Sequence, residues 1–240
     1  MTLKGKTALI TGAGRGIGRA IALTFASAGC NVAVTARTQE EIDGTALAAA
    51  DHGVKSLAVS GDVGNPNDIT RVVETTLEKH GAIDILVNNA GLAAFKPVWE
   101  LSLDEWRNAF DVNLTGAFLY IQAVLPGMMA RRQGRIINIS SVTGLKALPG
   151  QSAYGAAKHA LNGLTKSLNL ELREYGIAAH VICPGAVDTR LSREAMPHRD
   201  PSDWMTPDDV AQAAMYLASL GPRVAVDMLQ LRRFSGEPLA

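Results

Sequence analysis

Short apolar runs rich in β-branched residues alternate along the chain with longer segments of helical period. Residues 7–11 (TALIT), 31–36 (NVAVTA), 55–60, 83–88 (IDILVN), 135–140 (RIINIS) and 178–183 (AAHVIC) read as strands, and residues 224–231 as a seventh. Residues 16–28 place Ile17, Ala20, Ile21, Thr24 and Phe25 on one helical stripe, and residues 40–50 form the next helix. Asn65-Pro66 opens a third, an N-cap followed by proline at the first helical position. Ser102 and Glu105 spell a capping box for a long helix toward Arg131. Gly116 lies inside it, where glycine costs about 1 kcal/mol relative to alanine, so a close packing contact is expected there. Residues 152–175 are helical. Thr206-Pro207-Asp208-Asp209 starts the last helix with a capping hydroxyl, a proline and two acids on the positive dipole end. Strands that are apolar throughout and alternate with helices specify an α/β fold. Its sheet is mostly parallel, with helices on both faces and right-handed crossovers. No repeat, linker or low-complexity tract divides residues 1–240, which read as one domain.

Composition narrows the function classes. A chain of 240 residues, 47% hydrophobic, buries enough core to need neither disulfide nor structural metal. Lys plus Arg and Asp plus Glu both number 23, and this neutral balance argues against broad nucleic-acid or membrane-surface electrostatics. Cys30 and Cys183 are expected as buried, reduced thiols. The histidines are scattered singly, without metal-ligand spacing. No apolar run reaches the roughly 18 residues of a membrane span, and the N-terminus has no signal pattern, so a cytoplasmic protein is expected.

The chemistry begins after the first strand. Thr11-Gly12-Ala13-Gly14-Arg15-Gly16-Ile17-Gly18 follows the spacing G-x-x-x-G-x-G, which does not match the G-x-G-x-x-G dinucleotide fingerprint. It is either a flexible turn or a phosphate cradle at a helix N-terminus, and its place after the first strand favours the cradle. An acid at the end of the second strand commonly selects NAD, and an arginine accommodates a 2′-phosphate. Here Ala36 is followed by Arg37, no carboxylate is expected nearby, and Arg15 can approach from the other side, so NADP (NADPH) is expected over NAD. Asp62-Val63 offers an acceptor for an adenine amino group, or is a simple turn. Asn88-Asn89-Ala90-Gly91 lets the chain pass beside a flat ligand, and its asparagines can pin neighbouring strands. Tyr154 and Lys158, four apart, share a helix face. A nearby ammonium lowers a phenol's ordinary value of about 10 and suits it to proton exchange. Ser141 ends the fifth strand, at the edge where parallel sheets bind ligands.

Together these residues resemble the short-chain dehydrogenase/reductase family over nearly the whole chain. The motifs are TGAGRGIG at 11–18, Asp62-Val63, NNAG at 88–91, Asn113, Ser141, Tyr154, Lys158, and Pro184-Gly185 with Thr189. The broadest likeness is to the 3-oxoacyl carrier-protein reductases. The resemblance implies a single Rossmann-like, doubly wound parallel sheet of about seven strands, and a homotetramer or homodimer. It implies Tyr154 as proton donor to a carbonyl and Lys158 on the nicotinamide ribose. Ser141 would hold the carbonyl oxygen, and Asn113 a water in a proton relay. Gly12, Arg15, Gly16, Ile17, Arg37, Asp62, Val63, Asn89, Val187 and Thr189 would line the cofactor.

The expected activity is reversible reduction of a small-molecule carbonyl by NADPH. The alternative is an NAD(P)-binding sensor that kept the fold without turnover. Two departures stand out. The family's C-terminal V-D-G-G pattern is reduced here to Val226-Asp227. The segment at about 186–205, expected to be a flexible substrate lid, has a poor helix signal and prolines at Pro197 and Pro201.

Overall fold

The computed structural model describes residues 2–221 and 223–237. Seven strands form one sheet: β1 (Thr7–Thr11), β2 (Asn31–Thr35), β3 (Ser56–Ala58), β4 (Ile85–Asn88), β5 (Gly134–Ile139), β6 (Ile177–Pro184) and β7 (Met228–Leu231). The order is β3-β2-β1-β4-β5-β6-β7, and every pairing is parallel. The chain winds outward from β1 to β3, then crosses back to β4 on the other side of β1. That reversal opens a crevice beyond the C-terminal ends of β1 and β4.

The helices are α1 (Gly16–Ser27), α2 (Gln39–Ala50), α3 (Pro66–His80), α4 (Leu103–Phe110), α5 (Gly116–Arg131), α6 (Ser152–Leu172), α7 (Arg190–Ala195) and α8 (Pro207–Ala218). They make two layers, because successive strand residues point to opposite faces. Ala8, Ile10, Val32, Val34, Ile85 and Val87 pack under α1, α2 and α8. Leu9, Ala33, Leu86, Ile136 and Ala179 pack under α3, α5 and α6. Both faces are therefore apolar, which is why the strands carry no polar alternation.

The N-terminal signals work as read. Asn65 accepts from Asn67 N–H above Pro66, and capping boxes close at Ser102/Glu105 and Thr206/Asp209. Cys30 and Cys183 are buried free thiols. Several boundaries differ from expectation: β3 is cut to Ser56–Ala58, and β4 begins at Ile85. The long helix to Arg131 is α4 and α5 joined by one π-helical turn, Asp111–Thr115. β7 begins only at Met228; just before it, Val226 C=O meets the His180 ring and Asp227 C=O accepts from Val181 N–H, so the approach to the strand already lies against β6. The run Leu103–Arg131 is long and apolar enough to cross a bilayer, yet Tyr120, Ile121, Val124 and Met128 on it are buried in the second core.

Candidate active site

The crevice holds a cleft of about 310 Å³. The glycine turn forms its floor. Gly12 and Gly16 take left-handed φ of 63° and 55°, a region that disfavours a Cβ. A Cβ on Gly12 would lie 2.8 Å from Ala90 Cα, and one on Gly18 would press on Gly12 O and lie 2.5 Å from Asn89 Nδ2. Asn89 locks the turn from the other side of the switch point: Nδ2 donates to Thr11 O at 2.9 Å and Gly12 O at 3.1 Å. Arg15, the N-cap of α1, puts no side-chain acceptor on the helix N-terminus. The first amides of α1 thus stay free of a capping side chain, and an anion is the natural partner for them. The cradle fits a dinucleotide phosphate.

Asn88 also pins strands. Its Nδ2 donates to Asn138 Oδ1 at 2.9 Å, and Asn138 Nδ2 reaches Thr165 on α6 at 2.9 Å. This buried chain fixes α6 over β4 and β5. Asn162 Nδ2 adds a bond to Gly144 O at 2.8 Å and holds the turn after β5 against the same helix. A Cβ on Gly144 would come within 2.7 Å of Asn162 Nδ2 and Ser140 Oγ, so only glycine permits that approach.

These contacts bring Ser141, Tyr154 and Lys158 to one wall of the cleft. Ser141 Oγ accepts from Thr143 N–H at 3.2 Å and from the Thr143 hydroxyl at 2.9 Å. Phe95 packs edge-on against the Tyr154 ring, 5.6 Å between centroids. Lys158 is buried; its Nζ donates to Ile139 O at 2.9 Å and stands 5.7 Å from the Tyr154 ring centroid. Burial lowers the Lys158 ammonium to about 8. The expected acidification of Tyr154 is not what the side chains alone produce. Burial pushes the phenol above its ordinary value, and the Ser141 hydroxyl draws it partly back. The ammonium is directed at a backbone carbonyl and is itself disfavoured by burial.

All the other residues expected at the site line the same cleft: Gly12, Arg15, Gly16, Ile17, Arg37, Asp62, Val63, Asn89, Val187 and Thr189. Asn113 does not. It sits buried on the π-helical turn, with Nδ2 donating to Leu92 O at 3.0 Å and Ala109 O at 2.9 Å, while Oδ1 accepts from Leu92 N–H. Its visible work is to hold the strand-end loop at Gly91, where an added Cβ would stand 3.2 Å from Asn113 Oδ1 and 3.8 Å from Lys158 Nζ. Asp62 closes its own turn through Gly64 N–H at 2.9 Å. Val63 touches Gly116, whose added Cβ would lie 2.5 Å from Val63 O, which explains the glycine inside that helix. Thr189 caps α7 by accepting from Ser192 N–H.

The segment at about 186–205 is tied together at its two ends. Asp188 N–H donates to Met205 O at 2.7 Å and Met205 N–H to Ala186 O at 3.1 Å, so the two ends meet as a short parallel bridge. The helix α7 fits before Pro197, although the sequence there carries only a poor helix signal. Trp204 is buried as packing.

One expectation about the cofactor rim needs correction. A carboxylate is present: Glu41 lines the cleft and pairs with Arg15 Nη1 at 2.8 and 3.0 Å. It was missed because it lies on α2 beyond the strand end, where it reads as an ordinary first-turn acid. Arg37 is exposed on the same wall, and its guanidinium forms no hydrogen bond or ion pair among the described residues. Phe95 and Thr143 also escaped the sequence reading, since neither stands in a patterned motif.

Comparison with known proteins gives a consistent picture. Residues 6–200 match the family model described as short chain dehydrogenase. A 3-oxoacyl-[acyl-carrier-protein] reductase of Synechocystis sp. is 36% identical over 223 residues, covering 90% of each chain. The oxidoreductase UcpA of Escherichia coli K12 is 42% identical over 202 residues, covering 84% of this chain and 76% of that protein. An alcohol dehydrogenase from the archaeon Thermococcus sibiricus, solved in complex with 5-hydroxy-NADP, superposes with a TM-score of 0.90 at 30% identity. The match covers 98% of this chain and 99% of that one.

Proposed function

The chain belongs to the short-chain dehydrogenase family of oxidoreductases, and from that premise we propose that it reduces a ketone, aldehyde or 3-oxoacyl group to an alcohol, reversibly and with NADPH. The observation that carries the reading is the convergence of Ser141, Tyr154 and Lys158 on a cleft floored by the glycine turn. A nicotinamide dinucleotide, when bound, supplies the hydride. This chain's residues do the rest. Gly12, Gly16 and the free amides of α1 receive the phosphates; Ile17, Asp62, Val63, Asn89, Val187 and Thr189 shape the walls around the cofactor. Lys158 holds ribose hydroxyls, with Asn113 behind it keeping the Gly91 loop in place. Ser141 donates a hydrogen bond to the carbonyl oxygen as negative charge grows there, and Tyr154 delivers the proton. Keeping Tyr154 protonated, as burial does, suits a donor in the reducing direction.

Arg15 and Arg37 beside Ala36 support NADPH over NADH, since they are the cations that meet a 2′-phosphate. The relative named as a 3-oxoacyl reductase supports an acyl thioester among the candidate substrates. Exposed apolar side chains at Trp99, Leu103, Phe118 and Leu170 support a homo-oligomer. The test is loss of absorbance at the reduced-nicotinamide band with a panel of carbonyls. Wild type is expected to turn over at least one of them, and Tyr154→Phe to bind NADPH while losing nearly all turnover. Near-normal turnover in that variant would remove the phenol from the mechanism.

A further inference from the structure

Thr38-Gln39-Glu40-Glu41 spells a capping box at the start of α2. The same device forms fully at α4 and α8. At α2 it does not: the Thr38 side chain makes no cap bond. The Glu41 carboxylate is instead turned outward onto Arg15, with both oxygens within 3.0 Å of Nη1. The helix itself is docked in place, because Thr45 Oγ1 donates to Gly14 O at 3.3 Å and to Glu41 O at 3.1 Å. Gly14 leaves room for the acid; a Cβ there would stand 2.8 Å from Glu41 Cβ and 3.0 Å from Oε2. Thr38, Glu41, Arg15 and Arg37 share the cleft wall. The Glu41 charge also reaches Arg190 on α7, whose guanidinium is held up first by Glu194.

We propose that Glu41 is a specificity-determining residue of the cofactor cleft: its carboxylate is the resident counter-ion of Arg15, and a phosphate on the adenosine ribose must displace it. The inference rests on the dinucleotide reading above. A 2′-phosphate brought to Arg15 and Arg37 meets the Glu41 carboxylate as a like charge. The vacant capping position gives that carboxylate somewhere to go, since turning back to Thr38 N–H completes the box found at the other two helices. A dinucleotide without the phosphate meets no such rivalry. Glu41 therefore opposes the phosphorylated cofactor, and the preference is set by two arginines against one acid.

The experiment is direct titration of the full chain with NADPH and with NADH, following quenching or enhancement of nicotinamide fluorescence. Glu41→Gln keeps the side-chain shape, and Glu41→Ala serves as a second variant. Both are expected to move the ratio of the two dissociation constants about ten-fold toward NADPH, mostly by tightening NADPH, with a smaller shift at high salt. Arg15→Gln added to Glu41→Gln is expected to cancel the gain. A ratio that does not move, or moves toward NADH, while both dinucleotides bind would overturn this inference alone. Failure of wild type to bind either dinucleotide would overturn the functional reading beneath it.

Discussion

Thr143 gives both of its donors to a single atom of Ser141: its N–H at 3.2 Å and its hydroxyl at 2.9 Å meet the serine Oγ. A hydroxyl oxygen has two acceptor positions, so with both filled the serine is set as a donor, its own proton unused by Thr143. That is the orientation needed to stabilise oxygen charge in the transition state. Thr143→Val keeps the buried shape and removes one donor, freeing the proton to rotate. The expected result is a roughly ten-fold fall in kcat with little change in the KM for NADPH, and recovery of most activity in Thr143→Ser. Unchanged kcat in the valine variant would mean that Thr143 only packs.

Much of this arrangement was legible before the structure, for a physical reason. A parallel sheet buried on both faces leaves apolar runs, and the strand ends carry the polar residues, so motifs and strands mark one another. Gly12, Ser141, Tyr154 and Lys158 could be placed this way. Glu41 could not, because its sequence context is that of a helix cap and only tertiary approach of Arg15 diverts it. Asn113 was expected to hold a water in a proton relay; the structure places it on the π-helical turn behind Gly91, and a single inserted turn leaves no periodicity signal. Phe95 packs on Tyr154 from a loop with no pattern at all.

Arg37 stands exposed on the cleft wall, and its guanidinium makes no ion pair among the described residues. Removing it should therefore cost the fold less than about 0.5 kcal/mol. Arg37→Ala is expected to weaken NADPH binding about ten-fold or more and to leave NADH binding within two-fold, because a charge-assisted contact to phosphate is lost and nothing else. Titration with both dinucleotides, beside a thermal melt, checks this. An unmoved NADPH/NADH ratio would take the 2′-phosphate away from Arg37.

Two glycines predict opposite changes in stability. Gly18 has no room: an added Cβ would press on Gly12 O and lie 2.5 Å from Asn89 Nδ2. Gly18→Ala is expected to cost about 2 kcal/mol or more, with weaker cofactor binding, since overpacking moves the backbone that forms the cradle. Gly44, on the exposed side of α2, would meet nothing within 4 Å. Gly44→Ala is expected to stabilise by roughly 0.5–1 kcal/mol through helix propensity. Urea unfolding of the two variants gives both signs in one measurement. A stable Gly18→Ala protein would mean that the turn can relax.

Lys158 ties the proposed chemistry to stability through its proton. Its folded value is about 8, against 10.5 for the free group, because burial disfavours the ammonium. Below pH 8 both folded and unfolded chains hold the proton, and the fold carries the full cost of the buried charge. Between about 8 and 10.5 the unfolded chain binds more protons than the folded one, so stability rises with pH across that window. Lys158→Met has no such group. The lost donor to Ile139 O lowers the variant's stability, but by an amount that does not depend on pH. Burial raises the Tyr154 phenol above its ordinary value near 10, which opposes this gain only at the alkaline end of the range. From pH 7 to pH 10 wild type should therefore gain roughly 2–3 kcal/mol on the variant, a figure that follows from the size of the shift. Urea unfolding of both proteins at half-unit pH steps reads that difference directly. A difference flat in pH would show that Lys158 folds without its depressed proton affinity, and that the ammonium beside Tyr154 is as well solvated as a surface lysine.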